Sequence, residues 1–262
     1  MGIRPISRLI PRLILSCTAG LGLAGDAGAG DFYLTGNLAI STGTGDSGGS
    51  TEFFANTGSD TDSAPAYGGA LGFGFKLTEA IPRSWEIPLP GWGVRFEFEG
   101  MTGREYELLT KGGDGYISEV TAWTFMPNLW IDVPVHQPIA WIFGRIPILE
   151  PLTLYAGAGL GLSATDLDTT DNVSEGRNEE FLFGWQAGGG LGYELTQRVT
   201  LMAGYRYIDL GQPKVTLRTP PATDPFGNFK MDLAAHEFNF GVRVNFFSIP
   251  YQEKWALRRD VR

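Results

Sequence analysis

One stretch, residues 181–211, FLFGWQAGGGLGYELTQRVTLMAGYRYIDLG, limits what this chain can fold into more than any other. In its first arm Phe181, Phe183, Trp185, Ala187, Leu191, Tyr193 and Leu195 alternate with Gly184, Gln186, Gly188, Gly190, Gly192 and Glu194. In its second arm Val199, Leu201, Ala203, Tyr205 and Tyr207 alternate with Thr200, Met202, Gly204 and Arg206. Successive side chains of a strand point to opposite faces, so the pattern predicts two antiparallel strands with a tight turn at residues 196–198. The arms reach the roughly 9–11 residues that cross a bilayer at a tilt. Bulky residues hold one face while glycine and charge hold the other. A soluble sandwich would bury the bulky face, whereas a membrane barrel turns it to lipid and the charged face to a lumen.

The same stretch resembles the penultimate hairpin of the opacity/OmpA-type outer-membrane β-barrels of Gram-negative bacteria. There a G-x-G-Y strand, a short turn and a Y-R-Y-x-D-L-G strand follow one another, here at residues 190–193 and 205–211. NLWIDVP at 128–134, LTLYAGAGLGLS at 152–163 and HEFNFGVRVNF at 236–246 are similar family-like stretches, and the resemblance spans most of 31–246. It implies an all-β chain: an eight-stranded antiparallel up-and-down transmembrane β-barrel of the outer membrane. It also implies a surface or structural role, such as membrane integrity, adhesion or antigenic display. The implied partners are outer-membrane lipids including lipopolysaccharide, the barrel-assembly and periplasmic chaperone machinery during biogenesis, and host or cell-surface ligands at the outer loops. No cofactor is implied.

The rest of the chain fits that frame. Residues 1–29 read as a secretory signal peptide, with Arg4, Arg8 and Arg12, an apolar core at 13–24 and a small-residue cleavage site at 27–29. Cys17, the single cysteine, follows Ile14-Leu15-Ser16 as in a lipoprotein box; it is either lipidated or removed with the signal. The domain expectation is a barrel over 30–246 and a periplasmic tail over 247–262. With 37 glycines and 13% aromatics, the composition suits close packing and interfacial girdles, while a formal charge of −9 argues against nucleic acid as a partner.

Alternation places eight strands near 31–42, 64–77, 91–107, 118–134, 152–164, 180–195, 199–211 and 231–246. A ten-strand count requires 85–89 and 139–148 to pair, against their prolines. Four polar connections, 44–63, 108–117, 165–179 and 212–230, are expected as outer loops. The longer links 76–90 and 135–151 would face the periplasm, the second carrying a short helix or irregular apolar segment at 139–146. The expected lipid face holds Trp92, Phe96, Phe98, Trp123, Phe125, Phe183, Trp185, Tyr205, Phe238 and Phe240. The expected lumen collects Lys76, Arg95, Glu97, Glu99, Asp132, Glu194, Arg206, Glu237 and Arg243. Since eight strands enclose a space that side chains just fill, the reading is a lumen plugged by ion pairs. A narrow channel for small solutes is the alternative.

Chemistry-bearing motifs have plainer readings. Gly45-Asp46-Ser47-Gly48-Gly49 matches a serine-protease nucleophile motif, but no histidine precedes it, and a flexible loop explains it. Asp166, Asp168, Asp171 and Glu175 start like a calcium loop. Asp171 stands where glycine is needed and Arg177 where the bidentate glutamate belongs, so an acidic solvated loop is expected and no metal site. The glycine runs at 157–161 and 188–192 lie inside strands with no helix after them, which excludes a phosphate cradle. His236 is on the lipid-facing register near the outer end of its strand. The residue two positions on is Phe238, where a lipid A-modifying deacylase would carry serine, so no catalytic residue is assigned.

Overall fold

The computed structural model describes residues 30–49, 58–80, 91–110, 115–136, 146–219 and 225–249. The expected signal peptide, Cys17, the segments 85–89 and 139–145 and the tail beyond 249 lie outside these residues. Nine strands follow one another: β1 Gly30–Gly49, β2 Gly58–Lys76, β3 Gly93–Thr110, β4 Tyr116–Pro134, β5 Leu152–Thr170, β6 Glu175–Glu194, β7 Val199–Gly211, β8 Lys214–Arg218 and β9 Pro225–Ile249. From β1 to β7 each pairs antiparallel with the next, β7 and β8 both pair with β9, and β1 pairs with β9 to close the ring. β7 and β8 are one wall interrupted at Gly211, which has φ 90°, since both pair with β9 on the same side. The ring is therefore eight strands wide.

Its geometry follows from the registers. Stepping from Tyr33 through Gly72, Glu97, Asn128, Gly159, Gln186, Ile208 and Ala235 returns to β1 at Gly43, ten residues beyond the start. Such a shear in eight strands tilts them by about 40–45°. At about 3.3 Å per residue, a 19-residue strand such as β5 then rises about 45 Å along the axis. An apolar membrane band is only about 25 Å tall.

The outer face divides at about that height. In β9 the outward residues run Phe246, Val244, Val242, Phe240 and Phe238, all exposed, and then turn through His236 and Ala234 to Asp232 and Lys230. In β5 they run Leu154 to Leu162 and then reach Asp166 and Asp168. The apolar belt thus occupies the half nearer the chain ends, here called the terminal half. Its rim carries a row of touching rings, Phe247–Phe32–Phe73–Phe75–Phe96. The other, distal half reverses the polarity, with charge outward and apolar residues inward.

This reversal corrects the loop boundaries read from the sequence. Most of 44–63, 108–117, 165–179 and 212–230 is strand, including the Gly45–Gly49 motif expected as a flexible loop. In Asp166-Leu167-Asp168 the leucine is buried and the aspartates face out, so the strand continues while its faces exchange character. The described β5–β6 connection is short in consequence: Asp171–Ser174 closes the hairpin through a bond from Asp171 N–H to the Ser174 carbonyl. On the terminal side, Leu77–Ala80 is a short helix, and a single 3-10 turn at Pro147–Leu149 follows the segment expected at 139–146.

The distal half is also built differently. β2 pairs with β3 only from Tyr67↔Thr102 toward Lys76↔Gly93. Among the described residues no ladder joins 58–66 to 104–110. β6 meets β8 at Glu175↔Arg218 alone. Above the belt the wall is therefore two four-stranded sheets, β8-β9-β1-β2 and β3-β4-β5-β6. Between them lies a buried cluster that includes Tyr106, Leu108, Tyr116, Leu167, Leu210, Leu217, Phe229, Met231 and Leu233. The Tyr116 and Phe229 rings, 5.5 Å apart, join the two sheets across it. A closed barrel below becomes a sandwich above, its apolar faces inward as in a water-soluble protein.

Candidate functional site

Within the belt, the inward register is polar and its members reach one another across the lumen. Glu97 accepts from the Tyr33 hydroxyl at 2.8 Å and from Trp130 Nε1 at 2.9 Å, and pairs with Arg95. Arg95 Nε also donates to Asp132 Oδ2 at 2.7 Å, and its guanidinium lies 5.5–6.0 Å from the Tyr155, Tyr33 and Trp130 rings. One layer higher, Arg206 bridges Glu99 and Glu237 at 2.6 Å each. Glu99 further accepts from Gln186 at 3.2 Å and Asn37 at 3.3 Å. Glu237 further accepts from Arg104 Nε at 2.6 Å and Ser41 Oγ at 2.7 Å. Arg243 sits lowest, 3.6 Å from Asp132, and donates to Thr200 Oγ1 at 3.4 Å.

The interior charge sums to zero: Arg95, Arg104, Arg206 and Arg243 against Glu97, Glu99, Asp132 and Glu237. Burial of an ion costs several kcal/mol after relaxation, and although Arg95 Nη2, Arg104 Nη2 and Arg243 Nε have no hydrogen-bond partner among the described residues, every charge of the set has an ion-pair partner. The guanidinium fork allows this, because one arginine can satisfy carboxylates from two strands. Space comes from glycine. A Cβ on Gly72 would overlap the Tyr33 ring, and one on Gly204 would overlap the Tyr155 hydroxyl. Above this layer the apolar cluster of the sandwich occupies the axis. Two layers thus stack along the inward face, one of ion pairs and one of hydrocarbon.

Seven of the nine residues expected in the lumen meet there. Lys76 and Glu194 do not. They share the inward register, but they end β2 and β6 at the terminal rim, where both are exposed to solvent. A partner that sequence alternation missed is Arg104, fully buried against Glu237. Counting by twos from Glu99 puts residue 103 inside and 104 outside. A bulge between Met101 and Arg104, with Gly103 at φ 86°, shifts the count by one and turns Arg104, Tyr106 and Leu108 inward. The Gly-Arg dipeptide after a glutamate run was the available signal, since glycine admits a positive φ.

The ten aromatics expected outside divide nine to one. Phe96, Phe98, Trp123, Phe125, Phe183, Trp185, Tyr205, Phe238 and Phe240 are all exposed on the belt, whereas Trp92 lies half-buried just before β3. His236 sits at the belt's upper edge, bonded through Nδ1 to the Tyr205 hydroxyl and packed edge-on to Tyr207. His136 lies past the end of β4 at the opposite, terminal side. Among the described residues no group of three or more His, Cys, Asp or Glu is placed to hold a metal ion. The acidic segment expected as a loop is the β5–β6 hairpin, where Arg177 pairs with Asp166 and approaches Glu179 at 3.8 Å.

The match to a known protein family agrees with this architecture. The family described as "Outer membrane protein beta-barrel domain" matches residues 13–246. No curated protein matches the chain. Among solved structures it is similar to Neisserial surface protein A, with 17% identity, a TM-score of 0.41, and coverage of 84% of this chain and 100% of that one. It is likewise similar to the outer membrane protein OprG from Pseudomonas aeruginosa, with 16% identity, a TM-score of 0.44 and coverage of 84% and 98%. A third is Ail, the attachment invasion locus protein of Yersinia pestis, with 11% identity, a TM-score of 0.36 and coverage of 84% and 99%.

Proposed function

Because this chain belongs to the outer membrane protein beta-barrel domain family, and so to the outer membrane, we propose that it is an occluded, non-enzymatic barrel with a structural and surface-display role. The observation that carries this reading is the doubly filled axis. A neutral ion-pair layer inside the belt and a hydrocarbon layer above it support a lumen closed to solutes. A channel for small solutes would need a water-lined lumen from end to end. The absence of enzymatic function is argued from His236, the histidine nearest the belt's upper edge. It faces outward among Tyr205, Tyr207 and Phe238, its Nδ1 is taken by the Tyr205 hydroxyl, and the Asp209 and Asp232 carboxylates that line the same surface pocket accept from the Gly211 N–H and the Gln212 amide instead.

In this reading the nine exposed belt aromatics contact lipid, including lipopolysaccharide in the outer leaflet, and the sandwich stands outside the cell. The loop-length rule does not orient the barrel, since 77–92 and 135–151 are longer than 171–174. The orientation rests on the strands, which rise past the belt on one side only. Both described chain ends and the 196–198 turn then face the periplasm, where assembly factors would act. An epitope inserted between Asn172 and Val173 is expected to be labelled on intact cells, and one inserted at Gln197 only after permeabilisation. The reverse pattern would invert the topology and remove the display role.

A further inference from the structure

The seam between β2 and β3 is closed by side chains in place of a ladder. Asp62 Oδ2 accepts the Glu107 N–H at 2.9 Å, and Asp60 Oδ2 accepts the Leu109 N–H at 2.8 Å. These amides are two residues apart, the spacing at which a neighbouring antiparallel strand would present carbonyl oxygens. The two carboxylates therefore stand in for the carbonyls of a strand that is not paired there. They cannot reproduce the other half of a ladder, because a carboxylate donates nothing to the β3 carbonyls on the same side. Along the outer face, Glu107 lies directly opposite Glu119, and Glu119 directly opposite Asp168. Like charges so placed repel. Among the described residues, no ion pair involves Glu105, Glu107 or Glu119.

We propose that the β3 edge over residues 104–110 is a strand-addition site for an extended peptide with basic residues at alternate positions. This interaction surface rests on the surface role above for its access to the outside. The added strand supplies carbonyls to Glu107 and Leu109, displaces Asp60 and Asp62, and donates its own N–H groups in return. Its outward lysines or arginines neutralise Glu105, Glu107 and Glu119, and small apolar residues on its other face meet the layer of Tyr106 and Leu108. Inward-register aspartates on an edge also protect it from promiscuous pairing. That explains Asp60 and Asp62 but not the row of carboxylates beside them.

The test uses the full mature chain refolded in detergent and a fluorescent eight-residue peptide alternating lysine and valine, read by anisotropy. A control peptide of equal charge carries central prolines, which remove ladder donors. The alternating peptide should bind saturably and slow amide exchange at Glu107 and Leu109. Asp60→Ala/Asp62→Ala should tighten binding by about tenfold, because nothing then competes for the amides. Glu105→Lys/Glu107→Lys, at two exposed positions, should weaken it by about tenfold or more. Equal binding of the proline peptide, no binding of the alternating one, or indifference to the lysine variants would overturn the proposal. Binding in detergent does not depend on orientation, so an inverted labelling pattern at Asn172 would defeat the display role and leave this edge assignment standing.

Discussion

Arg206→Ala isolates the ion-pair layer. The guanidinium is 2% exposed and holds Glu99 and Glu237 at 2.6 Å each. Its removal changes the interior charge from zero to −1. Glu237 keeps Arg104 and Ser41, but Glu99 is left with two amide donors at 3.2 and 3.3 Å. Breaking a buried pair by deleting one partner costs about 3–5 kcal/mol, and with Glu237 still paired the expected loss is about 4 kcal/mol. Arg243→Ala is the internal contrast. That side chain is 12% exposed near the terminal mouth, 3.6 Å from Asp132, and its removal should cost about 1 kcal/mol. Arg206→Met with Glu99→Gln restores neutrality at similar volume and should recover at least half of the Arg206→Ala loss. Equilibrium unfolding in urea from lipid vesicles, followed by tryptophan fluorescence, measures all three against the unmodified barrel. A loss for Arg206→Ala no larger than that for Arg243→Ala would mean that water screens the pair, and the dry layer would be refuted.

Other expectations follow from single residues. Gly103→Ala forces a Cβ to within 2.7 Å of the Tyr67 ring at φ 86°, and should lower stability by about 1–3 kcal/mol in the same unfolding assay. Leu108→Ala opens a cavity in the sandwich and should cost about 3 kcal/mol without creating conductance, because the ion-pair layer below remains. At the distal hairpin, partial burial pushes the Asp171 carboxyl up. The N–H groups of Ser174 and Val173 and the Ser174 hydroxyl outweigh this, and its pKa falls below the usual aspartate range. The turn's added stability is therefore complete above the ordinary aspartate pKa and lost as pH falls through the lowered one. Protection of the Val173 and Ser174 amides, measured relative to their intrinsic exchange rates, should fall on acidification, and Asp171→Ala should abolish that pH dependence.

How far this was legible in the sequence depends on which half of the barrel a residue occupies. In the belt, Phe238, Phe240 and Val242 against Glu237 and Arg243 announce their faces, because lipid and lumen demand opposite side chains. In the distal half Leu167 between two aspartates, or Met231 between Lys230 and Asp232, carries the same period with the faces exchanged. A reading tuned to bulky-outward strands ends where water replaces lipid, which is why these strands read as loops. Register was equally local. Arg95, Glu97 and Glu99 lie in one uninterrupted run that alternation places together, whereas Arg104 comes after the Gly103 bulge, where counting by twos fails. Lys76 and Glu194 had the right parity but the wrong height, and height is set by strand ends that periodicity does not fix. The seam at Asp60 and Asp62 depends on how two distant strands diverge, and nothing within either strand signals it.

The filled axis is the centre of this account, and single-channel recording of the refolded, unmodified chain in a planar bilayer tests it most directly. Two stacked layers, Arg206 with Glu99 and Glu237 below and Leu108 with Met231 and Leu233 above, predict a baseline broken at most by small, brief openings. A large, steady open state in the unmodified barrel would contradict the filled lumen and make the protein a channel.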